Sequence, residues 1–414
     1  MKNWMFLLFL ASVLSCKNES KVVDNKIKED VAFLADDKLE GRQTGTRGET
    51  LAAKYLVERF RTIGLQPKGT EGYLQSFSFK PKTDPHGEVK FTTNADSTIT
   101  GNNIIGFIDN NAKSTILIGA HYDHLGFGGE GSLYRENDKA VHNGADDNAS
   151  GVAVMLNLAS RIKIKNDQAE IKDKNNYLFM AFSGEEMGLL GSNYFSKNPT
   201  INAESINYMI NMDMVGRMKA DSTLAVYGTG TSPIFKQTLK SNNDKFKLVE
   251  NESGVGPSDH TSFYLIDIPV LHFFTGQHED YHKPGDDSEK LNYDGMNLIS
   301  DYIYNIITDL DDNGELVFRK TKNESEETPR FKVGLGVVPD YLYDGKGMRI
   351  DGTREETPAF AAGLQKGDIV LKLGDSTITD MMSYMRALSV FDNGDEAEIT
   401  VKRGDKTIDT KVKF

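Results

Sequence analysis

Five short polar motifs lie in order along the middle of this chain, and each follows or closes an apolar run that predicts a β-strand. These runs are rich in β-branched and aromatic residues, as in Thr115 to Ile118 and Tyr177 to Phe182. Helical and strand patterns alternate, which indicates an α/β fold with a mostly parallel mixed sheet flanked by helices. Since loops at the carboxyl ends of strands gather at one edge of such a sheet, the motifs are expected to converge there.

The five motifs carry side chains that suit zinc. The candidate ligands are His121, Asp146, Glu186, Asp213 and His282. Imidazole nitrogen and carboxylate oxygen both bind zinc, and one carboxylate can be shared between two ions about 3.5–4 Å apart. With Asp146 shared, His121 and Asp213 would hold one ion, and Glu186 and His282 the other. The sequence therefore predicts a centre with two Zn²⁺ ions per chain.

A reaction at such a centre needs a proton acceptor, and Glu185 stands directly before a candidate ligand. Adjacent carboxylates can point in different directions, so one can bind metal while the other works as a general base. Simpler interpretations stay open at this point. The acidic run 146–148 could only cap the following helix. His124 is expected beside the site or at the surface, and Ser258-Asp259-His260 could be either a pocket wall or a turn.

Taken together, the motifs resemble the zinc-dependent aminopeptidases of the bacterial leucyl-aminopeptidase type. That family also includes glutamate carboxypeptidases and glutaminyl cyclases. The resemblance runs from about residue 25 to 310 and includes Leu-Glu-Gly-Arg-Gln-Thr-Gly-Thr (39–46) and Tyr-Gly-Thr-Gly-Thr-Ser-Pro (227–233). It implies the zinc exopeptidase fold, the five ligands named above and Glu185 as the general base.

The same resemblance implies roles for three further positions. Tyr281 would help to stabilise the oxyanion, and Asp123 would orient a ligand histidine. The peptide bond between Asp146 and Asp147 would be cis. The implied activity is hydrolysis of the peptide bond next to a free amino terminus.

Other activities remain open on the sequence. A carboxypeptidase of the same family should carry basic residues near the pocket, and Arg217 and Lys283 are close to the motifs. A glutaminyl cyclase would typically work with one zinc ion, which the full ligand set disfavours. A peptide-binding protein over an inactive hydrolase would be expected to have lost some ligands. The net charge of −13 and the pI near 5.2 argue against a nucleic-acid partner.

The amino terminus predicts export. Residues 1–15 have the layout of a signal peptide, with Lys2 before an apolar stretch. Cys16 is the only cysteine, so disulfides within the chain are excluded, and it resembles the lipid acceptor of bacterial lipoproteins. Leu14 stands where a smaller residue is usual, and a signal cut nearby is the alternative. We expect a protein of the cell envelope, anchored through lipid on Cys16 on the periplasmic or the surface face, with 16–26 as a tether.

The rest of the chain divides into two predicted domains. The catalytic domain is expected at 27–310 and a polar linker at 311–330. Residues 331–414 resemble a bacterial PDZ domain, on the Gly-Leu-Gly-Val segment (334–337) and on 357–370. That resemblance implies a small β-rich domain that receives a peptide as an added strand. The alternative is that this domain packs on the catalytic domain and binds no free peptide.

Overall fold

The computed structural model describes residues 25–80, 90–92, 98–129, 131–134, 136, 138–169, 173–321, 333–340, 343, 345–354 and 357–414. The predicted signal peptide, Cys16 with most of the tether, and residues 322–330 of the predicted linker lie outside these ranges. Among the helices within them, none combines the length and the apolar character that crossing a membrane requires.

The first unit is built around one mixed sheet. Its strands are β1 (Gln66–Pro67), β2 (Leu74–Lys80), β3 (Lys90–Phe91), β4 (Ile99–Ile108), β5 (Ser114–His121), β6 (Asn175–Phe182), β7 (Ile206–Met212), β8 (Thr223–Tyr227), β9 (Lys247–Asn251) and β10 (Val270–Phe274). Their order is β3-β2-β4-β6-β5-β7-β10-β8-β9, with β1 beside β4. The helices are α1 (Ile27–Leu34), α2 (Arg47–Ile63), α3 (Gly151–Gln168), α4 (Leu190–Lys197), α5 (Phe235–Ser241), α6 (His260–Tyr264) and α7 (Tyr293–Leu310).

The predicted α/β sheet flanked by helices is confirmed, with parallel pairing at its centre and between the edge strands β8 and β9. Strands β6, β5, β7 and β10 pair in parallel. Strand β4 pairs antiparallel with β1, β2 and β6, and β8 pairs antiparallel with β10. Parallel neighbours need a long crossover, usually a helix. No helix occurs in the described residues between β2 and β4 or between β7 and β8. Those strands therefore reverse direction, which makes the sheet mixed.

The central strands are buried on both faces. In β5, Ile116 and Ile118 belong to the core under α1, α2, α3 and α7, whereas Leu117 belongs to the core on the other face, with residues of α4 and α6. Side chains of a strand alternate between faces, so a continuous apolar run supplies both layers. The result is a fixed platform whose strand ends carry the polar motifs.

Helix α2 ends at a glycine. Gly64, just after the helix, adopts a left-handed conformation with φ of 89° and donates its backbone N–H to the last turn. Glycine takes this conformation without the steric cost that other residues meet.

Part of the predicted linker packs on the first unit. The backbone N–H of Leu316 donates to Asn207 Oδ1 at 2.7 Å, and the ring of Phe318 lies 5.5 Å from that of Tyr264. The hydroxyls of Tyr264 and Thr321 are 3.0 Å apart. The connection to the second unit therefore starts after Thr321, later than the composition indicates.

The second unit is a small antiparallel domain with its own core. Its strands are β11 (Val337–Pro339), β12 (Met348–Thr353), β13 (Ile369–Leu373), β14 (Ser376–Thr377), β15 (Glu396–Arg403) and β16 (Lys406–Lys413), and its helices are α8 (Pro358–Ala361) and α9 (Met381–Leu388). The strand order is β11-β12-β13-β15-β16, with β14 beside β13. Buried residues such as Ile350, Val370 and Ile399 form a core separate from the first unit. The predicted β-rich second domain is thus confirmed.

Candidate metal centre

Polar side chains gather at the carboxyl ends of the three central strands. His121 is the last residue of β5, Asp213 follows β7, and Glu185 and Glu186 follow β6 after a turn at Gly184. His282 comes from the loop after β10. These strands are direct neighbours in parallel register, which brings their ends to one edge of the sheet.

Asp147 lies at the centre of the cluster that these residues form. Its Oδ1 is 3.3 Å from His121 Nε2, which is also 3.2 Å from Asp213 Oδ1. Its Oδ2 is 3.1 Å from His282 Nε2, which is also 3.3 Å from Glu186 Oε2. One carboxylate thus faces an imidazole and a carboxylate on each of its two sides.

The choice of Asp146 as the shared carboxylate is corrected to Asp147. The Oδ1 atom of Asp146 accepts a hydrogen bond from the backbone N–H of Gly216 at 2.6 Å, and its Oδ2 lies 3.2 Å from His278 Nε2. Asp146 therefore points away from His121 and His282. The cis peptide bond is likewise one residue later than expected, between Asp147 and Asn148.

Two polar side chains fix the loop that carries Asp147. Asp286 Oδ2 accepts the backbone N–H groups of Asp146 and Asp147 at 2.9 and 3.0 Å. Asn148 donates to Met212 O at 2.9 Å and accepts from the backbone N–H of Gly151 at 2.9 Å. The loop is therefore tied to the end of β7 and to the first turn of α3, and this leaves the Asp147 carboxylate facing the cluster.

Arg42 holds the start of the same loop, a role that no local pattern in the sequence predicts. Its guanidinium is buried and donates to the carbonyl oxygens of Tyr122 at 2.8 Å, Asn143 at 2.6 Å and Gly144 at 3.0 Å, and also to that of Leu34. Burial lowers the pKa of Arg42 to about 10, so the group stays charged at neutral pH. Arg42 thereby links the amino-terminal helix to both sides of the cluster.

The two imidazoles of the cluster are oriented by backbone carbonyl groups that contact their Nδ1 atoms. His282 Nδ1 lies 2.8 Å from Gly131 O, and His121 Nδ1 lies 3.2 Å from Asp123 O. A hydrogen bond on one ring nitrogen fixes the tautomer and the direction of the other, as at metal sites. The Asp123 carboxylate is 3.7 Å from His121 Nδ1 and accepts the backbone N–H of Glu185 at 3.1 Å. Asp123 therefore positions both His121 and Glu185.

His124 is buried and not at the surface. Its Nδ1 lies 2.8 Å from Glu186 Oε1 and 3.9 Å from Asp147 Oδ2. His124, Asp147 and Glu186 form one group whose donor atoms are close enough to share a metal ion, and His121, Asp147 and Asp213 form another. On the Glu186 side, His282 Nε2 lies at similar distances from the carboxylates of Asp147 and Glu186. The other ring nitrogen, Nδ1, is held by a backbone carbonyl. We therefore prefer His282 as the candidate ligand on this side and give His124 a supporting role beside Glu186.

The charges of the cluster fit a bound cation. Burial lowers the pKa of His121 and that of His282. The charges of Asp213 beside His121 and of Glu186 beside His282 outweigh this effect and raise both pKa values well above the ordinary value. Burial raises the pKa of Glu185 well above its ordinary value. Burial would also raise the pKa of Glu186, but the charge of His282 outweighs it and lowers that pKa to about 2. Packed carboxylates thus draw positive charge to themselves, and imidazole with carboxylate is a donor set that suits zinc.

A cavity of about 80 Å³ opens beside the cluster. One side carries Asp147, Glu185, Glu186 and Asp213, and the other side is largely apolar. The apolar side is formed mainly by Met214, Tyr227, Phe274 and Tyr281. The ring of Tyr281 stacks on that of His282, with centroids 3.8 Å apart.

Neither Lys nor Arg lines this cavity in the described part of the chain. Arg217, which is close in sequence, pairs with Asp280 at 3.0 Å. Lys283 donates to Glu279 O at 2.9 Å. Both cations are therefore directed to partners outside the cavity.

The segment Ser258-Asp259-His260 lies behind the cavity wall at the start of α6. His260 stacks on His272, which lines the cavity, with ring centroids 4.4 Å apart. Asn211 donates to Ser258 Oγ at 2.8 Å and is 3.1 Å from His272 Nδ1. These buried residues support the wall rather than form a surface turn.

Comparison with known proteins agrees with this geometry. Residues 103–307 match peptidase family M28, and residues 323–414 match the PDZ domain. A probable leucine aminopeptidase of Trichophyton verrucosum is 30% identical over 178 residues, 40% of this chain and 44% of that protein. Aminopeptidase YwaD of Bacillus subtilis is 29% identical over 220 residues, 49% of this chain and 43% of that protein. The chain spans about half the length of the curated relatives it matches.

Solved structures agree in fold. A zinc aminopeptidase from Bacillus subtilis superposes with a TM-score of 0.51 at 18% identity, over 68% of this chain and 94% of that one. A Zn-dependent exopeptidase from Parabacteroides distasonis gives 0.54 at 18% identity, over 69% and 97%. The fold is thus that of the zinc exopeptidases, with a cluster of acids and imidazoles at the carboxyl ends of its central strands. Residues 103–307 thus form a domain of peptidase family M28, and a PDZ domain follows it at the carboxyl end.

The position of Asp147 predicts that its carboxylate contributes more to zinc binding than that of Asp146. We expect Asp147→Asn to weaken zinc binding by at least about 100-fold, because one carboxylate faces both halves of the cluster. Asp146→Asn is the matched control, since Asn keeps an oxygen for the N–H of Gly216, and it should weaken binding less than about tenfold. Zinc titration of both purified variants measures this. Loss of zinc from the Asp146 variant alone would restore the original assignment.

The buried hydrogen bonds of Arg42 predict that this residue contributes strongly to the free energy of unfolding. Arg42→Met leaves buried carbonyl groups without their donor, so the free energy of unfolding should fall by about 3–5 kcal/mol. The control Arg47→Met removes an exposed cation paired with Glu40 and should change it by less than about 0.5 kcal/mol. Urea unfolding of both variants gives the comparison. Equal effects would show that Arg42 has no special role.

Proposed function

We propose that this protein is a zinc-dependent aminopeptidase that removes an apolar residue from the free amino end of a peptide. The observation that carries the proposal is the cavity beside the cluster, which is lined by carboxylates and has neither Lys nor Arg among its described residues. Such a cavity offers carboxylate oxygens to a substrate's ammonium group and, among its described lining residues, no side-chain cation to a substrate's carboxylate. Its apolar side suits an aliphatic or aromatic first residue.

Two zinc ions fit the donor set. His121, Asp147 and Asp213 would hold one ion, and Asp147, Glu186 and His282 the other, with Asp147 shared. When bound, zinc polarises a substrate carbonyl and lowers the pKa of a bound water to about 7.

Glu185 is the proposed general base. It lines the cavity next to Glu186, and its backbone is held by Asp123. Its carboxylate would accept the proton of the attacking water and pass it to the leaving amine, which turns the amine into a good leaving group.

Tyr281 would assist the same step. It lines the cavity and stacks on His282, so its ring is held beside the reacting carbonyl. Its hydroxyl would donate a hydrogen bond to the oxyanion that forms on attack.

Two alternatives are less well supported. A carboxypeptidase would need a cation for the substrate's carboxylate, and both nearby candidates, Arg217 and Lys283, are directed elsewhere. A binding protein over an inactive hydrolase would not need this complete cluster of acids and imidazoles around Asp147.

The test combines one variant with substrates blocked at either end. The protein with zinc should cleave a leucyl peptide and its carboxyl-terminal amide, but not the same peptide acetylated at the amino end. Glu185→Gln should lower kcat by about 10²–10⁴-fold, because the proton acceptor is lost, with zinc content and KM little changed. Glu289→Gln, an exposed acid outside the cavity, is the matched control.

Two outcomes would contradict the proposal. Cleavage of the acetylated peptide with loss of activity on the amide would identify a carboxypeptidase. Full activity of Glu185→Gln with zinc retained would remove Glu185 as the base.

We further propose that the protein is exported and carries lipid on Cys16. The basis is the signal-like sequence of residues 1–15 before a single cysteine. Expressed in a bacterium, the wild type should incorporate labelled fatty acid and fractionate with membranes, whereas Cys16→Ser should do neither. A wild-type protein without label would leave only the simpler reading, a signal peptide cut nearby.

A further inference from the structure

A second and larger cavity, of about 440 Å³, lies between the two units. The first unit contributes Tyr227, Val255 and Pro257 to its wall, and the PDZ unit contributes residues of β12 and α9, such as Met348 and Met385. Small-molecule and peptide sites occur preferentially at domain interfaces and typically have volumes of about 300–1,000 Å³.

This cavity adjoins the one at the metal centre. Tyr227 and Pro257 line both of them. A chain that leaves the carboxylate cluster past these two residues therefore enters the space between the units.

The wall of the larger cavity suits an uncharged, apolar chain of varied sequence. Met348, Met381 and Met385 line it, and methionine side chains adapt to ligands of different shape. Arg349, the one arginine among its described lining residues, is neutralised by Asp340, whose Oδ2 lies 2.8 Å from Arg349 Nε, and it lies over the ring of Tyr343. The lining that the structure describes therefore leaves no cation unpaired to select an acidic ligand.

Strand β11 offers a further contact for a peptide that extends beyond the cavity. Within the described residues it pairs only with β12, so its other edge can accept an added strand. Asp340, which follows the last residue of β11, lines the cavity. An extended peptide that crosses the cavity thus arrives at the end of an unpaired strand edge.

We propose that this cavity binds the part of a peptide substrate on the carboxyl side of the cleaved bond. The inference rests on the aminopeptidase function proposed above. The amino end lies at the carboxylate cluster, and the following residues run past Tyr227 and Pro257 against the methionines of the PDZ unit. The protein is then selective for peptides long enough to reach both units, whereas a single amino-acid amide uses only the first cavity.

The test compares a short and a long substrate in the full-length protein with zinc. We use leucine amide and a nonapeptide that begins with leucine and continues with apolar residues. Met385→Glu places a charge in the wall and should lower kcat/KM for the nonapeptide by about tenfold, because a buried contact is lost. Its kcat/KM for leucine amide should not change. Val390→Glu is the matched control, since Val390 is 70% exposed on the same unit and does not line the cavity.

Tyr343→Ala, in the same wall, serves as a second variant in case Met385→Glu disturbs the fold of the PDZ unit. It should reduce cleavage of the nonapeptide in the same selective way. Equal kcat/KM of the wild type for both substrates, with neither variant changing the nonapeptide rate, would overturn the inference and leave the aminopeptidase function standing. If the wild type cleaves neither substrate, the proposed function itself fails and the inference falls with it.

Discussion

The buried guanidinium of Arg42 is the contact on which the arrangement of the site depends. It donates hydrogen bonds to carbonyl groups at the end of α1, after β5 and at the start of the Asp147 loop, three places far apart in the sequence. Bonds from a charged donor to buried carbonyls are strong, because no water competes for either partner. Asp286 completes the arrangement from the other side by accepting the N–H groups of Asp146 and Asp147. A cation and an anion together thus decide which of two neighbouring carboxylates enters the cluster.

The cavity at the cluster joins two surfaces of opposite character. Its acidic side follows from the strand ends of the parallel centre, where β5, β6 and β7 finish side by side. Its apolar side includes Tyr227, which ends β8, and Phe274, which ends β10, the strand that pairs in parallel with β7 and antiparallel with β8. In the proposed function, this change of pairing would place the substrate side chain against one part of the sheet and the reacting groups against the other.

Much of the fold and of the candidate site could be predicted from the sequence. The physical reasons for this also explain which parts could not be predicted. Residues that directly end buried strands, such as His121 and Asp213, have positions set by the sheet, so their meeting follows from the pattern of apolar runs. Asp146 and Asp147 stand in a loop whose backbone is set by Asp286 and Arg42, both distant in sequence. No local pattern distinguishes the two acids. Composition likewise indicates a linker from residue 311, but contacts such as that of Leu316 with Asn207 hold its first part in place.

The packing of that first part has a consequence for how the two units work together. Because Thr321 is held against Tyr264, only residues 322–332 separate the first unit from the described part of the PDZ unit. Eleven residues span at most about 40 Å, whatever their conformation. A short connection of this kind keeps one module near the other at an effective concentration in the millimolar range. A peptide that the PDZ unit bound only weakly would therefore be presented to the carboxylate cluster many times before it diffused away.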